Sequence, residues 1–209
     1  GKTMVEAALE INHWCAGEVM YQGTDMRTGS ALEIYRSGVG RCGEEAVFVV
    51  NVMRSAGIPA RPVYVPRWSH CDDNHAWVEV WCDGDWHYLG ACEPEAVLDK
   101  SWFTNAASRA MMIGSRWYDR AMPDEKVIGK DGMNRIINLL GKYAKTRWIT
   151  ITVEDLDGTP AAGAKVRAEV MNYGEFSPIA IMEADKNGCI SFETGFGSLL
   201  ICAVYDGAY

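Results

Sequence analysis

No apolar run in the 209 residues approaches the ~20 that a membrane-crossing helix needs, so no spanning helix is expected. Basic residues are few: 20 Lys and Arg stand against 28 Asp and Glu, a net charge of −8, and nothing basic clusters. Affinity for nucleic acid rests largely on Lys and Arg neutralising phosphates, so a nucleic-acid partner is excluded. The seven cysteines include no Cys-x-x-Cys pair, and the spacing of Cys71, Cys82 and Cys92 does not suit a zinc motif. No metal and no cofactor is expected, and the odd count leaves the redox compartment open. The N-terminus lacks the basic-then-apolar order of a secretory signal. The chain opens at a glycine and stops at Tyr209, in or just past a strand, which suggests a piece of a longer protein.

What remains is ordinary in apolar content but rich in aromatics, with eight Trp and nine Tyr. The length suffices for one sizeable core and a small accessory module. Met4, Ala7, Ala8, Ile11, Trp14 and Cys15 recur at helical spacing and predict an N-terminal amphipathic helix. Cys42 follows the turn glycines Gly38 and Gly40 and precedes Ala46, Val49, Val50 and Met53, again at helical spacing, before Gly57 and Pro59 end the run. Its thiol is therefore predicted in the first turn of a helix. Unpaired amides and the positive end of the helix dipole favour an anion there, so a lowered thiol pKa and donors for an oxyanion are expected.

His75 opens a run in which Ala76, Val78 and Val80 alternate with Trp77, Glu79 and Trp81, the period of a half-buried strand. Asp83-Gly84 then predicts a hairpin into Trp86-His87-Tyr88-Leu89. An imidazole at the mouth of that hairpin is suited to take a proton from a thiol and return it to a leaving group. His13 on the first helix, His70 in a polar loop and His87 on the second strand read as structural or solvated residues. Trp68, Trp77, Trp81, Trp86 and Trp102 predict either an aromatic-lined cleft or aromatic hairpin packing.

Around residues 120–147 the pattern changes. Met122-Pro123-Asp124-Glu125-Lys126 and Gly129-Lys130-Asp131-Gly132-Met133 are turn-rich, after which Trp148–Val153 begins a series of short alternating strands. The division predicted is a core over 1–120, a linker over 121–146 and a small β-sandwich over 147–209. Asp155, Asp157 and Asp185 fall in turns and lack the further ligands a calcium loop needs.

In sequence order, Gly-x-Gly-x-Cys-Gly (38–43), Arg-x-x-Gly-Ile-Pro-Ala-Arg (54–61), His-Ala-Trp-Val-Glu-Val (75–80) and a Trp-containing strand resemble the core of the transglutaminase-like superfamily of papain-type cysteine enzymes. The resemblance covers about residues 5 to 105 and implies an α+β fold, a helical layer on an antiparallel sheet. It further implies that Cys42 attacks a carboxamide or peptide carbonyl of a protein or peptide substrate and that His75 is its acid/base partner. An aspartate four residues after the strand Trp is the family's usual orienting group, but Trp86 is followed at that offset by Gly90, and an acid-proline pair arrives only at Glu93-Pro94. Either Glu93 takes that role, with Asp85 and Asp99 as more distant alternatives, or no carboxylate orients His75 and the site is impaired. Tyr21, Gln22 and Trp77 are the candidates for oxyanion or substrate contact. The resemblance leaves three functions in view: hydrolysis, acyl transfer that forms cross-links, and a binding module that keeps the fold without the chemistry. Residues 147–209 resemble carboxypeptidase-regulatory-like and immunoglobulin-like modules appended to bacterial extracytoplasmic enzymes, which implies a periplasmic or cell-surface setting.

Overall fold

The computed structural model describes residues 1–23, 27–118, 126–131 and 133–206. Its contacts divide the chain into two units, Gly1–Tyr64 with His75–Thr104, and Val65–Asn74 with Asn105–Tyr209. Helix and antiparallel sheet are mixed, in keeping with the expected α+β class.

The first unit begins with helix α1 (Met4–Glu18), started by a reciprocal cap in which Thr3 Oγ1 accepts the amide of Glu6 and the Glu6 carboxylate accepts that of Thr3. Strand β1 (Met20–Tyr21), helix α2 (Ala31–Ser37) and strand β2 (Val39–Gly40) lead into helix α3 (Cys42–Ser55). Strands β3 (Ala60–Val65), β4 (His75–Cys82) and β5 (Asp85–Leu89) follow, hydrogen-bonded in the order β5-β4-β3. Asp83 and Gly84 both have positive φ (52° and 94°) and close the two-residue hairpin between β4 and β5 that the Asp-Gly pair predicts. Ala46, Val49, Val50 and Met53 of α3 share one apolar core with Ala8 and Cys15 of α1 and Val78, Val80 and Cys82 of β4.

The expected half-buried alternation of β4 does not hold, because both of its faces are covered. Trp77 is fully buried with its ring 4.7 Å from that of Phe103. Glu79, also buried, accepts Nε of Arg61 at 2.6 Å, and the Arg61 guanidinium lies 4.1 Å over the Trp86 ring. Ala76 is half-buried and Trp81 alone is exposed, as the edge-on neighbour of Trp86 across the hairpin.

In the second unit, α4 (Thr104–Ala107) is followed by β6 (Gly114–Trp117), β7 (Lys126–Asp131) and β8 (Asn134–Asn138), with β8 antiparallel to both of the others. The stretch expected as a linker thus carries two strands; its turn cluster at 121–125 and Gly132 lie outside the described residues. Strands β9 (Arg147–Thr152), β10 (Lys165–Asn172), β11 (Glu175–Glu183), β12 (Cys189–Thr194) and β13 (Leu200–Val204) form two antiparallel sheets, β11-β10-β13 and β12-β9. Residues 207–209 are outside the described set. Val166, Ala168, Ile190 and Phe192 from these sheets bury against Met111, Met112 and Ile128, so the last five strands do not enclose a core of their own. The expected boundary near 147 gives way to a division at Asn105 because the apolar residues on either side of 147 are inside one another's core. Asp155 and Asp185 spend Oδ1 on the amides of Asp157 and Thr159, and of Asn187 and Cys189, as turn-forming groups.

The Arg61–Glu79 pair supplies a test of this packing. Glu79→Ala leaves a guanidinium buried without its carboxylate and should cost about 3–5 kcal/mol in urea unfolding. Glu10→Ala removes an exposed carboxylate from Lys2 and should leave the midpoint unchanged.

Candidate functional site

Two tethers set the start of α3. Strand β1 runs parallel to β2, with the amides of Met20 and Gln22 donating to the carbonyls of Gly38 and Gly40, both at 2.9 Å. The Glu44 carboxylate accepts the amides of Arg41 and Gly29, each at 3.1 Å. Cys42 is thereby held as the first residue of the helix, as the sequence predicts. The backbone amides of Ala76 and Gly43 bond to its thiol, so the sulfur touches the residue directly after His75.

The expected lowering of the thiol pKa is not what the structure yields. Burial pushes the Cys42 thiol up, and the opposing pull of the Ala76 and Gly43 amides and the Arg41 charge is the smaller effect.

His75 opens β4 and is 6% exposed. Its ring is boxed by Trp102 at 4.7 Å, Phe103 at 4.9 Å and Trp77 at 5.9 Å between centroids. Nε2 lies 3.9 Å from Oε2 of Glu93. That distance exceeds the ~3.2 Å of a hydrogen bond, so the expected bond is absent, yet the carboxylate faces the ring instead of solvent. The other oxygen of Glu93 accepts Nε1 of Trp102 at 2.9 Å. Trp102, 64% exposed, therefore holds the carboxylate and covers the imidazole with one side chain.

Glu93 arrives by a tight turn. Its amide donates to Gly90 at 3.2 Å, and Cys92 takes a positive φ of 57°. Asn12, buried in α1, clamps that turn, donating to the carbonyls of Gly90 (2.9 Å) and Glu93 (3.4 Å) and accepting the Cys92 amide (3.1 Å). A Cβ on Gly90 would fall on Oε2 of Glu93 and stand 2.8 Å from its Cβ and 3.1 Å from Oγ of Ser101. The Glu93 side chain thus occupies the space into which an acid at position 90 would grow, and the glycine there is the steric condition for it.

Of the remaining candidates, Asp99 is committed elsewhere, with Oδ2 2.6 Å from Nδ1 of His87 and Oδ1 accepting the Tyr88 amide. Asp85 accepts the amide of Trp86. Tyr21 and Gln22 run beside Gly40, two residues before Cys42, with exposed side chains. Trp77 is a correction: fully buried beneath His75, it has no surface for a substrate, because it shares the inward face of β4 with His75 and Glu79. Within the first unit the aromatic cleft reduces to Trp102 beside the ring, since Trp81 and Trp86 pair with each other. All seven cysteines are free thiols. Among the described residues, no group of three or more His, Cys, Asp and Glu is placed to hold a metal, and no helix is long and apolar enough to cross a membrane.

Sequence reasoning missed Asn12 and Glu45. A polar residue on the apolar face of α1, between Ala8 and Cys15, was the available signal for Asn12. Glu45, in the first turn of α3 and 4% exposed, has its carboxyl pushed up to about 8, by burial first and then by the charge of Glu93. Burial likewise raises Glu93, against the pull of Trp102. Glu45 therefore keeps its proton in the folded protein where the unfolded chain, with an ordinary value of 4.5, has lost it. The stability this contributes is complete below pH 4.5 and is lost as pH rises toward about 8, at up to ~1.4 kcal/mol per pH unit. Glu45→Gln should flatten the melting temperature across that window and raise it at its upper end, as read by thermal melts at several pH values.

Comparison with known proteins follows the first unit. No curated protein matches the chain. A crystal structure from Cytophaga hutchinsonii, named "Putative Cysteine Protease", aligns at 15% identity and a TM-score of 0.36 over 95% of this chain; the alignment spans 44% of that structure's own length. Residues 1–91, which carry Cys42 and His75 and stop short of Glu93, match the family model of the transglutaminase-like superfamily.

Proposed function

We propose that this protein is a cysteine-dependent acyl-transfer enzyme, a hydrolase of peptide, amide or isopeptide bonds in a protein or peptide substrate. The observation that carries the reading is the bond from the Ala76 amide to the Cys42 thiol, which joins the helix start to the residue following the buried His75. His75 takes the thiol proton as the sulfur bonds to the carbonyl carbon, and the first-turn amide of Cys42 receives the oxyanion. The C–N bond then breaks, His75 gives that proton to the departing amine, and a thioester remains. Water attacks the thioester, His75 accepts a proton from it, and the thiol is regenerated with the acid product. With the free thiol raised by burial, the thiolate depends on the imidazolium that forms beside it. Glu93 acts as a positioning residue on that imidazolium and Trp102 fixes Glu93. Replacement of water by a substrate amine would make the same site a cross-linking transferase; the half-buried sulfur favours the smaller nucleophile. An extracytoplasmic setting belongs to this proposal and rests on the resemblance of residues 147–209 to appended modules.

Iodoacetamide labelling across pH tests the chemistry without a substrate. Cys42 should alkylate ahead of the other six cysteines near neutral pH, and His75→Ala should slow it at least tenfold by removing the ion-pair partner. Uniform labelling that ignores His75→Ala would leave a binding module as the reading. Glu93→Gln should move the pH profile by less than the ~10⁴-fold effect known for a hydrogen-bonded triad carboxylate, since the carboxylate stands off from the ring.

The exchange of Gly90 and Glu93 has its own test. Gly90→Asp alone should destabilise the fold because the side chain meets Glu93, whereas Gly90→Asp with Glu93→Ala frees the space and should restore both melting temperature and the pH profile of Cys42 labelling.

A further inference from the structure

The second unit holds a groove of about 1200 Å³, lined by residues 69–70, 108–110, 141–145, 169–171, 176 and 196–200, all of that unit. Arg109, Lys142 and Lys145 line it and are exposed, and among the described residues none of the three has an ion-pair partner. Glu169, the acid among the described lining residues, is buried and holds Nε of Arg167 at 3.0 Å, so its charge is already met. Burial first, and then the Arg109 charge, lower His70 from its ordinary value, so the imidazole adds little positive charge near neutral pH. A chain of net charge −8 thus carries a groove whose uncompensated charge is positive.

The wall at 195–198 is tightly fitted. The Gly195 amide donates to the Met111 carbonyl at 3.3 Å, a Cβ on Gly195 would fall on the Ala110 carbonyl oxygen, and one on Gly197 would stand 2.7 Å from Sδ of Met111. Arg147 donates Nη2 to the Gly197 carbonyl at 2.8 Å and lies 5.8 Å from the Phe196 ring centroid. Phe196 is 66% exposed in this fixed wall, and Phe176 and Met171 add exposed apolar surface to the same groove.

The pairing of β10 decides the kind of ligand. Strand β13 pairs with Lys165–Glu169 and reaches no further than Leu200, so Val170–Asn172 run on with no strand beside them on that side. The two-residue turn Tyr173-Gly174 (φ 53° and 77°) makes Asn172 and Glu175 a hydrogen-bonded pair. The next pair, Met171 and Phe176, is therefore non-hydrogen-bonded, and the N–H and C=O of Met171 point to the open side. Among the described residues neither has a backbone partner there. An unpaired strand edge beside an apolar, cationic groove suits an extended peptide that adds a strand, and the volume exceeds the ~300–1,000 Å³ typical of a small-molecule pocket. We propose that this groove binds an extended acidic peptide segment, its main chain pairing with Met171, its apolar side chains on Met171, Phe176 and Phe196, and its carboxylates on Arg109, Lys142 and Lys145. Nothing in it depends on Cys42 or His75.

Fluorescence anisotropy tests it, with short fluorescein-labelled peptides in which Glu alternates with Leu, Val or Phe titrated with the full chain. The Glu peptides should bind, the same peptides with Gln for Glu should bind about tenfold more weakly, and salt at ~1 M should screen the difference away. Lys142→Glu and Arg109→Glu should each weaken binding by about threefold to tenfold. Lys186→Glu, the same change of charge at an exposed turn outside the groove, should leave it unaltered. Peptides N-methylated at every second amide, made in both phases, separate main-chain pairing from charge: one phase should lose about tenfold, because a methylated amide cannot donate to the Met171 carbonyl. Undiminished binding in both phases, equal losses from Lys186→Glu, or no binding by any Glu peptide would overturn the proposal. So would tighter binding of polygalacturonate, an anionic glycan with no main-chain amide to pair with Met171.

Discussion

Between His75 and Val80 strand β4 is covered on both faces, and every polar group along it must be satisfied inside the first unit. On one face Val78 and Val80 meet the helices, which brings the start of α3 close enough for the Cys42 thiol to receive the amide of Ala76. On the other, His75, Trp77 and Glu79 lie in a row. Trp77 finds Phe103, Glu79 finds Arg61, and His75 is left facing Glu93 within an aromatic box. The buried pair and the candidate site are consequences of the same burial, since an imidazole or carboxylate out of water needs a partner of its own.

Burial also explains why the electrostatics differ from those of an exposed helix start. Desolvation is the largest influence on Cys42, Glu45 and Glu93 alike, and all three are pushed toward their neutral forms. Burial thus opposes an isolated charge on any of them, so a thiolate at Cys42 depends on a paired imidazolium. The second carboxylate matters here: the charge of Glu93 is, after burial, the further cause of the raised Glu45 carboxyl.

Around Gly90 the side chain of Glu93 fills the space that a side chain at position 90 would need. A carboxylate reaches the same space either from a side chain at 90 or, as here, from Glu93 folded back over a glycine by a turn with a positive φ at Cys92. The longer side chain requires an outside clamp, which Asn12 supplies through three bonds to the turn, and an anchor for its second oxygen, which Trp102 supplies.

The positions of Cys42 and His75, the Asp83-Gly84 hairpin and the helix boundaries were legible in the sequence because each depends on a few neighbouring residues: apolar period, turn chemistry, the glycines around a helix start. Glu93 was legible as the favoured acid near the expected offset but its geometry was not, since its place depends on Asn12, about eighty residues earlier. The direction of the Cys42 pKa shift was misread because local dipoles are visible in sequence and burial is not. The boundary near 147 was misread for a related reason, as a change of periodicity marks a change of element and says nothing about which apolar faces share a core. What the sequence by itself determined is helices α1 and α3, the hairpin of β4 and β5, and the residues that open them. Tertiary structure alone decided partner and protonation, because desolvation and hydrogen-bond choice are settled by residues far apart in the chain, as when Asn172 closes on Trp68 from 104 positions away.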